Sequence, residues 1–366
     1  MSGPTYPAAR AFADRIHFRL SGNKDMILKS QSRSLPDAHA IEEVVTAAFW
    51  ASLRREEGKS PTISLALVAP EQVARPLRFA AQLSLDPEIL ARLAPAVERP
   101  GIHLCVWRYN DGLFIWGTTR ALPSGCFVLE VIAPGLLVVK TQRAEPTAKF
   151  ANVAVLEGAQ VKFIAPQPTP VFEGTGALAS LLTFYASAGT SETDSVLVRL
   201  AISMRAHQRG GTLLVVPHES EEWRESIVKP ISYSVNPPFS EINGPSDDPD
   251  VLRTAVDALA GWTAVDGATV ISDHFALLAS GVKIHSRDVS RRIGKVRVTE
   301  PVEGSEPMLV EPSYLGNTRH LSAAQFVHDQ PDCVALVASQ DGRFTVFAWC
   351  AAEDTVYAHR LEALLL

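Results

Sequence analysis

Val265-Asp266-Gly267-Ala268-Thr269-Val270-Ile271, read together with Tyr314-Leu315-Gly316-Asn317-Thr318-Arg319-His320, decides how this chain is organised. The first stretch sets a carboxylate at the mouth of an apolar strand, beside a glycine where a ligand's backbone can come close. Such a carboxylate suits a metal ion or a nucleotide hydroxyl. The second sets Thr318, Arg319 and His320 at the start of a helix running to about residue 329, where free N–H groups and the helix dipole favour an anion. That is a position for phosphate. Taken singly, Asp266 is an ordinary turn carboxylate, and Arg319 and His320 an ordinary surface helix start. The pair gains meaning from the strands around it.

Residues 212–216 are apolar throughout, which predicts a strand buried on both faces. A helix over 193–207 precedes it, followed by Gly210-Gly211, which reads as a turn because it lacks the Lys-Ser/Thr of a phosphate loop. Asp248 and Pro249 open a helix to residue 260, with Leu252, Val256 and Leu259 on its buried side. Beyond Asp266, residues 268–271 and 275–283 predict a hairpin around Ser272-Asp273-His274. Residues 333–339 and 343–350 predict another around Gln340-Asp341-Gly342, and a short helix ends the chain. The segment 229–239 is Pro-rich and reads as a loop over the sheet, with Tyr233 and Phe239 packing. A second loop, 285–313, carries Arg287, Arg291, Arg292, Lys295 and Arg297; it reads first as a solvated surface and second as a triphosphate funnel.

The N-terminal half follows a different pattern. Helices are expected over 7–20 and 36–57, then strands at 63–68, 102–108, 113–119, 127–132, 136–141, 153–156 and 160–164. Asn110-Asp111-Gly112 marks a tight hairpin. His103, Trp107 and Trp116 fall inside strand patterns and read as core or sheet-face residues. The fold class is therefore α/β: a C-terminal domain with a mixed central sheet flanked by helices, plus an N-terminal α+β domain, two helices on a largely antiparallel sheet. The expected domains are 1–165 and 191–366. Between them, 166–190 is a linker and connecting helix that begins with Pro166-Gln167-Pro168-Thr169-Pro170. No long-period sequence repeat is evident.

With 366 residues, two hydrophobic cores are expected. A hydrophobic share of 46% and a charged share of 20% are those of a folded globular protein. The net charge of −6 argues against nucleic acid as a partner. Cys105, Cys126, Cys333 and Cys350 are scattered without a Cys-x-x-Cys pair, so buried free thiols are expected rather than zinc or disulfides. No apolar run reaches the ~20 residues that span a bilayer, and no signal peptide is evident, so no membrane partner and a cytoplasmic location are expected.

Asp-Gly-Ala followed about fifty residues later by Thr-Arg-His before an Ala-rich helix resembles the signature of the diadenylate cyclase (DAC) family. The resemblance covers about residues 191–349 and includes the apolar run ending in Ser339 and the Asp341-Gly342 turn. Two positions depart from it: Leu321 stands where the family has a second arginine, and Gln340 where it has an acidic residue. The resemblance implies a nucleotidyltransferase condensing two ATP into cyclic di-AMP, or a related cyclic dinucleotide, with Mg2+ or Mn2+. It also implies a homodimer or higher homo-oligomer, since each domain holds one nucleotide. By the same resemblance, Asp266, Arg319 and His320 are catalytic; Gly267, Ala268, Thr318 and Ser339 join Arg319 and His320 in nucleotide binding; Asp266 and His320 hold the metal. The Trp-bearing hairpin with the Phe49-Trp50-Ala51-Ser52-Leu53 helix resembles the DACNV type of sensor domain found N-terminal to some DAC domains. That implies a regulatory input with a ligand of its own, unknown here. The departures leave a second reading, a nucleotide-binding sensor without turnover, and a third, a protein-interaction module.

Overall fold

The computed structural model describes residues 6–22, 36–56, 58–110, 112–142, 150–165, 196–240, 242, 249–288, 292–316 and 318–366. The chain divides into two compact units, one built up to Ala165 and one from Val196 onward. The expected linker and connecting helix at 166–190 lie outside the described residues.

In the first unit, helices α1 (Ala9–Gly22), α2 (Ala38–Ser52) and α3 (Pro87–Val97) cover one face of an eight-stranded sheet. Its strands are β1 (Ile63–Leu67), β2 (Leu77–Ser84), β3 (His103–Tyr109), β4 (Gly112–Thr119), β5 (Phe127–Ala133), β6 (Leu136–Gln142), β7 (Phe150–Glu157) and β8 (Gln160–Phe163). They lie in the order β2-β4-β3-β1-β5-β6-β7-β8. Asp37 caps α2, accepting the Ala40 N–H at 2.7 Å. Ile41, Val44, Val45 and Ala48 recur at helical spacing and pack on Ile63, Leu65 and Leu129. Helix α2 stops at Ser52, earlier than residue 57, because the chain turns after Leu53 and Glu56 pairs with Lys59. Two elements go beyond the sequence reading, β2 and α3. The strand is an exposed edge with little apolar alternation; the helix is opened by Asp86, which accepts the Glu88 N–H, and Pro87. On the opposite face Ala66, Val68, Cys105, Trp116 and Val128 form a smaller cluster. His103 is buried there with Nδ1 2.7 Å from the Ser64 hydroxyl, and Trp116 Nε1 donates to Val68 O at 2.9 Å, so both serve the packing.

The second unit is a three-layer α/β sandwich. Its strands are β9 (Gly211–Val216), β10 (Tyr233–Phe239), β11 (Ala268–Ser272), β12 (Leu277–Val282), β13 (Val296–Thr299), β14 (Met308–Val310), β15 (Val334–Ala338), β16 (Phe344–Cys350) and β17 (Thr355–Arg360). They lie in the order β10-β12-β11-β9-β15-β16-β17-β13-β14. Helices α4 (Val196–Ala206) and α5 (Pro249–Trp262) pack on Leu213, Val215, Ile271, Leu336 and Val346. On the other face, α6 (Thr318–Asp329) lays Ala323, Ala324, Phe326 and Val327 over Leu214, Val216, Val270, Ala335 and Phe347. Alternate residues of β9 thus feed different layers, which is why the strand is apolar throughout.

Three sequence expectations need correction here. Residues 233–239 are not loop but the edge strand β10, a position where Pro237 and Pro238 need not donate to a neighbour. The 285–313 loop contains β13 and β14, paired with each other and, through β13, with β17. The C-terminal helix is replaced by β17, which pairs with β16 in a continuous antiparallel ladder.

The repeat that the sequence hides is visible in the topology. Strands β2-β4-β3-β1-β5-β6-β7 and β10-β12-β11-β9-β15-β16-β17 have the same order and the same connections. Their directions match too: β1 is parallel to β3 and antiparallel to β5, as β9 is to β11 and β15. The units differ between the fourth and fifth shared strands in chain order. The first joins β4 to β5 through residues 120–126, whereas the second inserts β13, β14 and α6.

Since each unit has its own core, a fragment spanning residues 191–366 should fold alone, with near-UV circular dichroism and a cooperative urea transition. A molten spectrum beside a well-folded full chain would show that the second core depends on the first.

Candidate functional site

The parallel pairing of β11 with β9 runs from Ala268↔Thr212 to Ser272↔Val216, so the residues entering both strands lie at one edge of the sheet. Asp266-Gly267 and Gly210-Gly211 meet there. Because β15 runs antiparallel to β9 with Ala338 opposite Gly211, Ser339 leaves its strand at the same edge. Above this edge stands the start of α6. A Cβ at Gly210 would lie 2.9 Å from Arg319 Nη1, 3.3 Å from Ala338 O and 3.4 Å from the Gln340 side chain. Gly210 and Gln340 therefore belong to the site, although the sequence reading left both out. The available signal was a Gly-Gly pair directly before an all-apolar strand.

Asp266 is exposed, and its carboxylate has no hydrogen-bond or ion-pair partner among the described residues. Gly267 has φ +102°, and a Cβ there would fall 2.7 Å from Gly281 C and 2.8 Å from Val282 O. The close approach this glycine permits is thus by the neighbouring strand β12. Ala268 is buried between β9 and β12. Thr318 is exposed at the first position of α6, and Ser339 is held in the β15–β16 turn, where its N–H donates to Arg343 O and its O accepts from Gly342. Trp262 ends α5 beside the edge, 43% exposed, its carbonyl accepting from the Thr269 hydroxyl at 2.9 Å. Tyr314, which opens the second stretch, is 80% exposed.

His320 is only 1% exposed, and neither ring nitrogen has a hydrogen-bond partner. The ring meets Phe347 edge-on at 6.1 Å, and a Cβ at Gly316 would be 2.6 Å from its Nδ1. Burial pushes the imidazole down to about 4; Arg343, Arg319 and Arg360 add to the shift and Asp341 opposes it. Leu321, the next residue, is 44% exposed on the solvent side of α6.

The basic loop is tied elsewhere. Ile293 N–H donates to Gln325 Oε1 and Arg287 N–H to Asp329 Oδ2, both at 2.9 Å, toward the far end of α6. At 1.5 Å per residue, Asp329 lies about 16 Å along the helix from Thr318. Arg287 also pairs with Glu225 at 2.6 Å and Arg297 with Glu353 at 2.9 Å, while Arg292 and Lys295 are exposed. Arg291 lies outside the described residues.

Residues 30–120 match the family model described as "Probable sensor domain DACNV", which falls within the first unit. No curated protein matches the chain. Among solved structures, a hypothetical membrane spanning protein from Bacillus cereus aligns over 50% of this chain and 71% of its own, at 15% identity and a TM-score of 0.30, a likeness that carries no argument. No helix among the described residues is long and apolar enough to cross a membrane.

Two outcomes follow from this geometry. Because His320 stays neutral when folded, its contribution to stability is present above an unfolded value near 6.5 and is lost as pH falls from there toward 4. His320→Leu removes that proton linkage and two unsatisfied nitrogens. Urea titrations should show a shallower loss across this window, by about 1.4 kcal/mol per pH unit, and no loss at pH 7. Gly267→Ala should cost about 1–3 kcal/mol in the same assay, since its Cβ meets backbone on β12 and its φ is unfavourable for alanine.

Proposed function

We propose that the second unit binds ATP with a divalent cation at the edge formed by Asp266, Gly210, Arg319 and the start of α6. Two such units, facing each other, condense two ATP molecules into cyclic di-AMP or a related cyclic dinucleotide. The first unit is the sensory input. One observation carries this reading: a partner-free carboxylate enters β11 at the same sheet edge where Arg319 lies against the glycine that enters β9. The DACNV match over residues 30–120 supports it, since sensors of this type are found before some DAC domains.

The reaction requires each 3′-hydroxyl to attack the other nucleotide's α-phosphorus and expel pyrophosphate, so alignment and charge set the barrier. Asp266 takes the hydroxyl or the cation, while the Arg319 guanidinium and the positive end of the α6 dipole take triphosphate charge. Thr318 and Ser339 add hydroxyl contacts, and Trp262 and Tyr314 offer exposed rings for adenine. When bound, Mg2+ or Mn2+ lowers the pKa of the attacking hydroxyl and neutralises phosphate oxygens. Asp266 fits as its carboxylate ligand. His320 keeps a lone pair because burial holds it neutral, which suits Mn2+ better than Mg2+, but both nitrogens are covered. It reaches a ligand only when Gly316, which lies against Nδ1, moves away.

That covered histidine, with Leu321 in place of a cation, favours a second reading in which the unit binds nucleotide without turning it over. Incubating the full chain with ATP and Mn2+ or Mg2+ and resolving products by mass separates the two. The expected result is a cyclic dinucleotide, abolished in a folded Asp266→Asn protein. ATP-dependent thermal stabilisation without product selects the second reading, and neither product nor stabilisation sinks both.

A further inference from the structure

The opposite end of the same parallel pair brings three metal-binding side chains together. With Ser272 in register with Val216, the chain leaves β9 and β11 side by side, and His218 and Asp273-His274 emerge as neighbours. Asp273 N–H donates to Val216 O at 2.8 Å. Its Oδ1 accepts the backbone N–H of His218 at 2.9 Å and lies 3.1 Å from His218 Nδ1. The His218 and His274 rings stack with centroids 3.8 Å apart and planes 20° from parallel. A tight turn fixes the second arm: Ser272 N–H donates to Ala276 O and Phe275 N–H to Ser272 O, both at 2.9 Å, with Phe275 at φ +60°. One donor atom from each of His218, Asp273 and His274 lies within 4.8 Å of the other two, and all three residues are exposed. Among the described residues this is the one such group of three.

We propose that His218, Asp273 and His274 form a binding site for a borderline divalent cation of the Zn2+ class, with an open coordination position toward solvent. Two imidazoles and one carboxylate form a donor set suited to Zn2+ and its transition-metal neighbours, whereas Mg2+ and Ca2+ take oxygen donors. Tetrahedral bonds of about 2.0–2.1 Å bring ligand atoms to roughly 3.3 Å from each other. Closing to that separation from within 4.8 Å takes side-chain rotation alone, because the backbone beneath is already fixed by the strand register and the 272–276 turn. The His218 N–H bond to Asp273 orients the carboxylate, as outer contacts do at metal sites. On the other side of the same ring, Glu219 Oε1 lies 3.5 Å from His218 Nε2. The site is separate from the nucleotide edge by the length of β11, about 16 Å at ~3.3 Å per residue. With no cation role, the His218–Asp273 contact would be only a strap between two strand ends, and the experiment distinguishes the two.

Chelator-stripped full-length protein without a polyhistidine tag is titrated with Zn2+ by calorimetry and with Co2+ by visible spectroscopy. The four cysteines are buried and do not compete. One equivalent should bind saturably, with Co2+ showing ligand-field bands, and His274→Ala and Asp273→Asn should each weaken binding about tenfold or more. Asp266→Asn should leave it unchanged, which separates this site from the nucleotide reading. If Asp273→Asn disturbs the strand ends, His274→Ala decides, since the hydrogen bonds that join those ends run between His218 and Asp273 and stay in place. Absence of saturable Zn2+ binding, or unchanged affinity in the His218→Ala/His274→Ala double variant, overturns the proposal.

Discussion

Everything in the second unit depends on the pairing of β9 with β11, parallel neighbours at the middle of the sheet. A parallel pair aligns like ends. Its entering end unites Gly210 with Asp266, and its leaving end unites His218 with Asp273 and His274. An antiparallel pairing of the same two strands would have separated each of these sets by the length of a strand. The register is held because both strands are buried on both faces, so a one-residue slip would exchange the side chains of the two layers.

The two units show what was added to a shared framework. Seven strands, with equivalent helices before the first and between the second and third, recur with the same connections. The insertion that separates β12 from β15 supplies α6, which covers the second face of the sheet and carries Thr318, Arg319 and His320. In the first unit the corresponding face carries, among the described residues, the smaller cluster around Trp116 and the Ser64–His103 contact. The DACNV match lies in the unit without that insertion.

His320 illustrates the tension between stability and function at the edge. Burying an imidazole with two unsatisfied nitrogens costs free energy that an apolar side chain would not. Sites kept at such a cost are common where a ligand completes the hydrogen bonding. Gly316 is what allows the ring to sit there, since any side chain at that position would collide with Nδ1.

Much of the framework was legible in the sequence because it rests on local rules: the apolar run of β9, the hairpins at 272–276 and 339–343, and Thr318 at a helix start are all set by nearby residues. Asp266 and Arg319 were found in the same way, as residue types at recognisable element ends. What the sequence could not carry was pairing between distant segments. The Pro-rich 233–239 became a strand because a sheet edge accepts it, and residues 355–360 became a strand because β16 offered a ladder. Neither outcome is encoded in local periodicity. The repeated topology was hidden because backbone pairing, not side-chain identity, is what the two units share. Gly210 and Gln340 meet through the antiparallel pairing of β9 with β15, and His218 meets Asp273 and His274 through the parallel register of β9 with β11; these segments are far apart in sequence, and only strand pairing decides which become neighbours.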